Sequence, residues 1–448
     1  MVIEDTPLWR AAREVIASGQ TSGNFGWDAV VHLDNEILVP LMVLAVNVER
    51  RYVDSFTDEM TCTLLFPLGK YARRIYPNRN NLQISLTKIP LHEGVKGANI
   101  DLELSAERYS AILLDHGPAP TEGQGAESND EMVLDLTNLV EVSFQLFNKA
   151  AEQLRLLTVG GVFRKTRVDD LILSLLTKEA SKVSVYDERA LSGIDLVPVS
   201  NQGQNEQVVI TQGTRLVDVV GYLQGRVGVY NASASSYFQN KFWYVFPLHD
   251  ASHFSDRLTT LTILVLPKRK FSDIERTFTQ NASSLVILAS SETGFRDDSG
   301  RQYLSDGNGA RFADASKLME GSSQTQGNRV LLSRGATNSE FTTDANGNNL
   351  NHAPVPNQRI TANPFSVCSA LNARNGGVFK LVWQNSDSSL IIPGMVARIV
   401  YFDVDQIKEI YGVVHHAMHV SHKTGDFGSR KFSNQTVLSV FVNRQITG

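Results

Sequence analysis

Apolar and polar residues alternate along much of the chain, which predicts a mainly β fold. The segment 139–147 reads LVEVSFQLF, with apolar side chains at every second position. Side chains of a strand point alternately to its two faces, so this segment predicts a half-buried strand. Similar alternation recurs in three earlier segments, at Thr61, Thr63 and Leu65, at Leu82, Ile84 and Leu86, and at Ile100, Leu102 and Leu104. Apolar strand patterns return after residue 379 in FKLVW, MVARIVYF, EIYGVVHHAMHV and QTVLSVFVN.

Helical spacing interrupts the strand pattern in a few short segments. The first has Thr6 as its cap, Pro7 at its first position and Gly19 at its end. Its apolar stripe is Leu8, Ala11, Ala12, Val15 and Ile16. A second helix is predicted over 148–157 (NKAAEQLRLL), ending before Gly160 and Gly161.

A third helix is predicted to begin near Thr166, with Asp169 and Asp170 in its first turn, where they suit the helix dipole. Its apolar stripe is Val168, Leu171, Ile172, Leu175 and Leu176. The next segment, 208–230, predicts a strand, a cap at Gly213–Thr214, a helix and a tight turn at Gly228. The apolar residues of that helix are Leu216, Val219, Val220 and Leu223. An aromatic hairpin (YFQNKFWYVFPLHD) and a buried strand (LTTLTILVLPKRKF) are predicted to follow.

These patterns divide the chain into four parts: an N-terminal β domain, a barrel or a sandwich, with a leading helix (1–138), a mixed α+β region (139–295), a polar insertion or arm (296–362) and C-terminal strands (363–448). The polar part is rich in Asn, Gly, Ser, Asp and Gln and carries 7 acidic and 7 basic residues. An arm that contacts a neighbouring subunit and a tolerated surface loop both fit this composition. A further polar segment, 117–130, predicts an exposed loop.

Composition narrows the class of protein. The 448 residues are 42% hydrophobic and have a formal net charge of −5, so no basic excess favours gripping nucleic acid. Two cysteines give no disulfide framework, which suits a reducing cytosol. The apolar stretch 37–46 contains Pro40 and is too short for a membrane helix. Glu4 and Asp5 precede any apolar run, unlike a secretory signal.

Charge is distributed unevenly along the chain. Residues 1–150 carry 21 acidic and 12 basic side chains, whereas residues 363–448 carry 5 acidic and 8 basic side chains. Opposite fields steer association, so the asymmetry fits surfaces that meet in an assembly. Ordinary variation of solvated faces fits it equally well.

The sequence contains no complete motif for the chemistry we considered. The nucleophile elbow G-x-S-x-G does not occur, and Gly69–Lys70 lacks the rest of a phosphate-binding loop. Gly307 and Gly309 do not complete a dinucleotide fingerprint. Asp344, Asn346 and Asn348 have the spacing of a calcium loop, but Val355 stands where its glutamate belongs. Cys62 and Cys368 fit small buried hydrophobes, and Lys268–Arg269–Lys270 fits a solvated strand end better than a phosphate contact.

Histidines provide the one metal-like pattern: His415, His416, His419 and His422. In a strand, His415 and His419 are expected to share a face with backbones about 13 Å apart, too far to bind one ion by themselves. We therefore predict polar strand positions packed in a barrel or interface, and no metal or cofactor. A metal shared across subunits stays open.

The middle region resembles the tail-hub or baseplate-hub proteins of contractile-tailed bacteriophages, typified by the phage T4 hub. The resemblance is carried by the order FQLF, EQLR, VGGVFRKTRVDDLILSLL, TRLVDVVGYLQGRVGVY and YFQNKFWYVFPLHD. The C-terminal IIPGMVARIVYF, YGVVHHAMHVSH and TVLSVFV are similar to the closing barrel strands of those proteins. The resemblance covers about residues 139–290 and 379–443. It does not account for the acidic N-terminal region or for the polar part 296–362.

The resemblance implies a mainly β fold with α+β insertions: two β-barrel-like domains plus a helical-β connecting domain. It also implies a structural virion protein without enzyme activity, which forms a homotrimeric ring between a sixfold tail tube and a threefold central spike. Its partners would be the tube protein, the spike protein and other baseplate proteins, with DNA only as passing cargo and no embedding in a membrane. The protein would be assembled in the host cytoplasm and reside in the virion tail.

Six residues are predicted to build the core or the assembly: Phe144, Leu146, Leu216, Val220, Leu223 and Tyr230. Under the hub reading, the acidic first 150 residues would line a lumen that does not hold DNA. Two other classes stay open, namely a different virion structural protein (a tail-tube or capsid decoration component) and a β-rich carbohydrate-active enzyme.

Overall fold

A computed structural model provides the fold. It describes residues 6–18, 25–33, 36–90, 106–114, 138–186, 188–254, 259–270, 274, 276–291, 363, 365, 369, 372–373, 376–403, 406–425 and 431–443, and the backbone of 322–326, 329–336 and 339–344. The predicted strand at 100–104, the predicted loop at 117–130 and most of the polar part 296–362 lie outside these residues.

Within the part of the chain that the structure describes, the helices with defined bounds are few and short, as the sequence predicts. They are α1 (Pro7–Ala17), α2 (Lys149–Leu156), α3 (Val168–Ala180) and α4 (Val219–Arg226), with a helical turn Leu68–Lys70 that continues as the π-helical segment Tyr71–Ile75. Three 3₁₀ turns cover Leu216–Asp218, Lys268–Lys270 and Ser388–Leu390. Thr6 caps α1 by accepting a hydrogen bond from the backbone nitrogen of Trp9, and Asn148 caps α2 in the same way from Ala151. Both predicted helix starts are therefore confirmed.

Strands make up most of the described chain. They are β1 (Phe25–Leu33), β2 (Glu36–Leu38), β3 (Met42–Arg51), β4 (Glu59–Pro67), β5 (Leu82–Pro90), β6 (Ala106–Leu113), β7 (Leu139–Asn148), β8 (Thr158–Arg167), β9 (Ser184–Val185), β10 (Glu188–Arg189), β11 (Gly193–Leu196), β12 (Gln204–Arg215), β13 (Ala234–Gln239), β14 (Phe242–Pro247), β15 (Thr260–Leu266), β16 (Phe278–Gln280), β17 (Ser284–Ser291), β18 (Ser322–Gln326), β19 (Arg329–Ala336), β20 (Ser339–Asp344), β21 (Gly376–Gln384), β22 (Val396–Asp403), β23 (Gln406–Lys423) and β24 (Phe432–Asn443).

The first barrel is a curled antiparallel sheet in the order β2-β1-β5-β6-β7-β4-β3. Its interior is a separate apolar core that includes Tyr71 and Ile75 of the π-helical segment. β7 pairs with both β4 and β6 and buries Val142, Phe144 and Leu146 in this core. The strand 139–148 thus belongs with the first barrel, although the sequence division placed it in the middle region.

The second barrel is closed. Its six strands follow the order β23-β22-β15-β17-β21-β24, and β24 pairs back onto β23. β15 runs parallel to β17 and β22, and the other neighbours are antiparallel. Trp383 of β21 is fully buried, and its indole nitrogen donates to Thr277. The prediction of a mainly β fold with two barrel-like domains is confirmed.

One long strand joins the two barrels. The first part of β23 pairs with β22 in the second barrel, and residues 416–422 pair with β3 of the first barrel. β24 accompanies β23 on its other side from 412 to 423. Because both strands run on without a break, the backbone itself connects the barrels.

The connecting region packs on the core of the second barrel. It consists of the ribbon β8–β12, the three-stranded sheet β11-β14-β13, and the helices α2, α3 and α4. The predicted hairpin is confirmed in β13 and β14, where Asn240 and Lys241 have φ of 51° and 63°. Positive φ at both turn residues matches the twist of the flanking strands. The predicted α3 is confirmed with all five apolar residues of its stripe buried.

Two local predictions are wrong. Gly160 and Gly161 lie inside β8 rather than ending a helix, because β8 pairs with β12 there. Gly213 and Thr214 lie in β12 beside an irregularity of register, and the chain enters α4 through Leu216–Asp218 without a side-chain cap. In β4 the alternating buried side chains are Met60, Cys62 and Leu64, so the predicted burial of Cys62 is confirmed.

Candidate functional site at the junction of the two barrels

A turn of the second barrel, residues 387–391, is seated against the first barrel and the aromatic hairpin. Arg50 Nη1 of β3 donates to the carbonyl oxygen of Ser388 at 2.6 Å. Tyr52 Oη and Gln239 Nε2 both donate to the carbonyl oxygen of Ile391 at 3.3 Å. We call residues 387–391 the junction turn, because its backbone is held by side chains from two other parts of the fold.

Arg50 is the centre of this junction and is only 6% exposed. Its Nε lies 3.0 Å from Asp58 Oδ2, and Tyr237 Oη donates to Asp58 Oδ1 at 2.9 Å. Burial alone lowers the pKa of a guanidinium, but the Asp58 carboxylate outweighs this effect and the pKa of Arg50 is raised. Burial, followed by the Asp58 charge, also raises the pKa of Tyr237. The cluster is therefore a charged pair extended by a neutral phenol.

A second ion pair holds the start of the junction turn. Lys88 of β5 pairs with Asp387, lies 3.3 Å from Ser389 Oγ and sits 4.1 Å from the centre of the Phe25 ring. Burial raises the pKa of Asp387, but the Lys88 charge and the hydrogen bonds from Lys88 and Ser389 outweigh it and leave that pKa lowered. Side chains from strands β3 and β5 of the first barrel thus both bind the junction turn.

His419 of β23 forms part of the same junction. Its Nδ1 lies 3.0 Å from Thr436 Oγ1, and its ring stacks on Phe25 with centroids 5.9 Å apart. Burial, reinforced by the positive charge of Arg50, lowers the pKa of His419 to about 3. The imidazole is therefore neutral at physiological pH.

A series of side-chain hydrogen bonds connects β1 to strands β23 and β24 of the second barrel. Trp27 Nε1 donates to Ser421 Oγ at 3.0 Å, and Ser421 Oγ donates to Asn434 Oδ1 at 2.6 Å. Asn434 Nδ2 in turn donates to the backbone oxygen of Phe25 at 3.0 Å. Side chains rather than strand pairing connect β1 to the β23–β24 pair within the described residues.

The predicted shared face of His415 and His419 is wrong, because β23 contains a bulge at His415. The register with β24 shifts between Val414 and His416, which reverses the side-chain alternation beyond that point. His415 stacks on Phe441, whereas His419 meets Thr436, on the opposite face of β24.

The other histidines are held separately. His415 Nε2 lies 2.7 Å from the carbonyl oxygen of Leu248, and its ring centroid is 5.3 Å from that of His249. His416 Nε2 lies 3.2 Å from Glu49 Oε1. Across the residues that the structure describes, no group of three metal-ligating side chains forms a metal site.

The six residues predicted for core or assembly lie in two places. Phe144 and Leu146 are in the core of the first barrel, and the other four are in the core of the second barrel with its connecting region: Leu216, Val220, Leu223 and Tyr230. Tyr230 Oη donates to the carbonyl oxygen of Val197 at 2.6 Å. All six are buried, none lies in the junction, and their part in assembly stays a prediction.

Sequence reasoning missed Arg50, Asp387 and His419 as one site. They come from positions far apart in the chain, and no spacing connects them. The three consecutive charged residues that end β3 and the buried-strand pattern around His419 were the available signals, and neither indicates a junction.

The remaining candidates show no assembled chemistry. Cys62 is buried, which raises the pKa of its thiol, and Cys368 lies outside the described residues. Lys268–Lys270 forms a 3₁₀ turn just after β15. Asp344 ends β20, whereas Asn346, Asn348 and Val355 lie outside the described residues. No helix among the described residues is long and apolar enough to span a membrane.

The acidic excess of the first 150 residues lies mostly in segments outside the described ones. The described part of this region carries 9 acidic and 11 basic side chains. Six acidic and no basic residues fall within 115–137 alone. An acidic lumen therefore stays a prediction.

Comparisons with known proteins return tail and secretion proteins. No family model and no curated protein matches the chain. A tail protein from Neisseria meningitidis MC58 is 8% identical, with 94% of this chain and 98% of that chain covered and a TM-score of 0.44. The 43 kDa tail protein of prophage MuSo2 from Shewanella oneidensis is 8% identical, with 92% and 96% covered and a TM-score of 0.46. A type VI secretion component of E. coli is 8% identical, with 92% and 76% covered and a TM-score of 0.36.

Two of these neighbours are tail proteins, which is the broader class that the sequence resemblance named. Because their TM-scores lie below 0.5, we base the functional argument on the residues of the chain itself.

Proposed function

We propose that the chain is a structural protein of a contractile tail, acting as a baseplate hub. The observation that carries the proposal is the pairing of two barrels of comparable size in one chain, joined by the continuous strand β23. A subunit with two similar barrels lets three copies present six, so a threefold assembly can meet a sixfold one.

The junction fits this role because it restrains the angle between the barrels. Arg50 and Lys88 each reach from the first barrel to the junction turn of the second. A ring of alternating barrels needs one fixed angle within each subunit. Buried ion pairs add little net stability to a fold, but they can specify one arrangement of the parts that they connect. Here those parts are the two barrels.

In the finer form of the proposal, the chain forms a homotrimer in the virion tail, between the tail tube and the central spike. Other baseplate proteins surround it, and DNA passes through its lumen during ejection. The protein has no enzyme activity in this role and is assembled in the host cytoplasm.

The experiment is to measure the mass of the purified chain by light scattering and to image particles that contain it. We expect a trimer, and three copies around the tail axis beside a sixfold tube. Six copies in a ring would identify a tail-tube component, and positions on the capsid would identify a decoration protein. Turnover of host polysaccharide by the purified chain would favour the carbohydrate-active class instead. Any of these three results would overturn the hub proposal.

A further inference from the structure

A cavity of about 260 Å³ lies between the first barrel and the junction turn. Phe25, Trp27, Val48, Met60 and Leu86 provide its apolar walls. Its polar lining comes from Arg50, Asp58, Lys88, Glu107, Tyr109, Asn240, Asp387, Ser388, Ser389 and His419. We call it the junction cavity. Apolar walls with a few converging polar groups are the usual make-up of a small-molecule site.

One residue of the cavity lining, His419, carries a buried polar atom without a hydrogen-bond partner in the protein. Nε2 of His419 is buried and makes no hydrogen bond, although the residue is only 1% exposed. A smaller space of about 30 Å³ shares Asp58, Glu107 and Tyr109 with the cavity and borders Gln239. Gln239 Oε1 is likewise buried without a partner. An unsatisfied buried polar atom costs about 1–3 kcal/mol, so both atoms favour an additional group that bonds to them.

The charges of the cavity favour a neutral ligand over an anion. Arg50 is paired with Asp58, and Lys88 with Asp387, so these four charges cancel. Glu107 accepts a hydrogen bond from the Tyr109 hydroxyl and leaves one carboxylate in excess. A second anion would meet this charge in a partly desolvated space.

We propose that the junction cavity binds a compact, neutral, polyhydroxylated ligand of the size of one sugar ring. A hydroxyl both donates and accepts, so it satisfies His419 Nε2 in either tautomer, and it donates to Glu107. The cavity is slightly smaller than the ~300 Å³ lower bound of drug-sized pockets, which favours a small ligand. The apolar walls at Phe25 and Trp27 suit the C–H faces of such a ring. This site does not depend on the hub proposal.

The test is calorimetric titration of the full chain with D-glucose, N-acetylglucosamine and glucuronate as probes. We expect saturable binding of at least one neutral sugar and at least tenfold weaker binding of glucuronate. His419→Phe retains an aromatic ring beside Phe25 but removes Nε2, together with the Nδ1 contact to Thr436, and should weaken binding of the neutral sugar at least tenfold. The matched control is His416→Phe, which changes a histidine of the same strand that lies outside the cavity and should bind as the parent does.

A second variant keeps the proposal falsifiable if His419→Phe does not fold. Glu107→Gln, at an exposed position of the lining, should weaken binding of the neutral sugar and reduce the discrimination against glucuronate. Absence of saturable binding by both neutral sugars would overturn the proposal. So would unchanged binding by the folded variants, or an experimental map that shows only water in the cavity at saturating sugar.

Discussion

Arg50 and Ser388 are 338 positions apart in the chain, yet Arg50 Nη1 and the carbonyl oxygen of Ser388 are 2.6 Å apart. This hydrogen bond connects β3 of the first barrel to the junction turn of the second. The same guanidinium is paired with Asp58, so one side chain serves both the inside of a barrel and the contact between barrels. The hydrogen bonds of this guanidinium are therefore complete only when both barrels are in place.

Replacing Arg50 tests this dependence. Arg50→Met leaves Asp58 and the Ser388 carbonyl without their partner in a buried site, and we expect a loss of about 3–5 kcal/mol in the free energy of unfolding. The matched control is Arg51→Met, which removes the neighbouring but exposed pair with Glu59 and should cost less than about 1 kcal/mol. Urea unfolding followed by circular dichroism measures both. Equal losses for the two variants would show that the junction contact adds nothing to stability.

One buried histidine, His419, and two half-buried ones, His249 and His415, predict how stability depends on pH. Burial lowers the pKa of His249 and His419 to about 3 and that of His415 to about 4, while unfolded histidine has its ordinary value near 6.5. The unfolded chain therefore binds more protons between pH 6.5 and about 4. The free energy of unfolding is at its full value above pH 6.5 and falls as the pH decreases through this window.

The free energy of unfolding is expected to change by about 1.4 kcal/mol per pH unit for each histidine, once the histidines of the unfolded chain are protonated. Urea unfolding at pH 7, 6 and 5 measures it in a range where carboxylates titrate little. His419→Gln should lower the slope of the free energy of unfolding against pH by the contribution of one histidine. His415→Gln should lower it by the same amount. A slope that is the same in the parent and in both variants would contradict the assignment of neutral imidazoles.

The sequence predicted local elements much better than the junction. The capped start of α1 and the alternation in β7 are set by neighbouring residues, so periodicity and capping rules find them. The bulge at His415 depends on pairing between β23 and β24, and no local pattern marks it. The partners of Arg50 are Asp58, just before β4, and Ser388 in the junction turn, so their meeting is a property of the tertiary fold alone.

Two glycines test how tightly the connecting region packs on the barrel. Gly394 has φ of +70°, and a Cβ there would lie 2.5 Å from Cγ of the buried Phe246 ring. Gly394→Ala should therefore destabilise the protein by more than about 1 kcal/mol. Gly221 is exposed in α4 and a Cβ there meets nothing within 4 Å, so Gly221→Ala should stabilise by about 0.5–1 kcal/mol. Thermal unfolding of the two variants checks the opposite signs, and a loss of stability in Gly221→Ala would argue against the helix at that position.

Leu223 tests the link between the core and the proposed assembly. Its side chain in α4 is fully buried among Val219, Val220 and Leu216, so Leu223→Asp places an unpaired charge in an apolar core. We expect a loss of several kcal/mol and failure to form the proposed trimer. Leu173→Asp is the matched control, because Leu173 in α3 is 37% exposed and can keep a carboxylate hydrated. Light scattering and urea unfolding measure both variants. A Leu223→Asp chain that folds and assembles like the control would show that α4 is not part of the core that supports assembly.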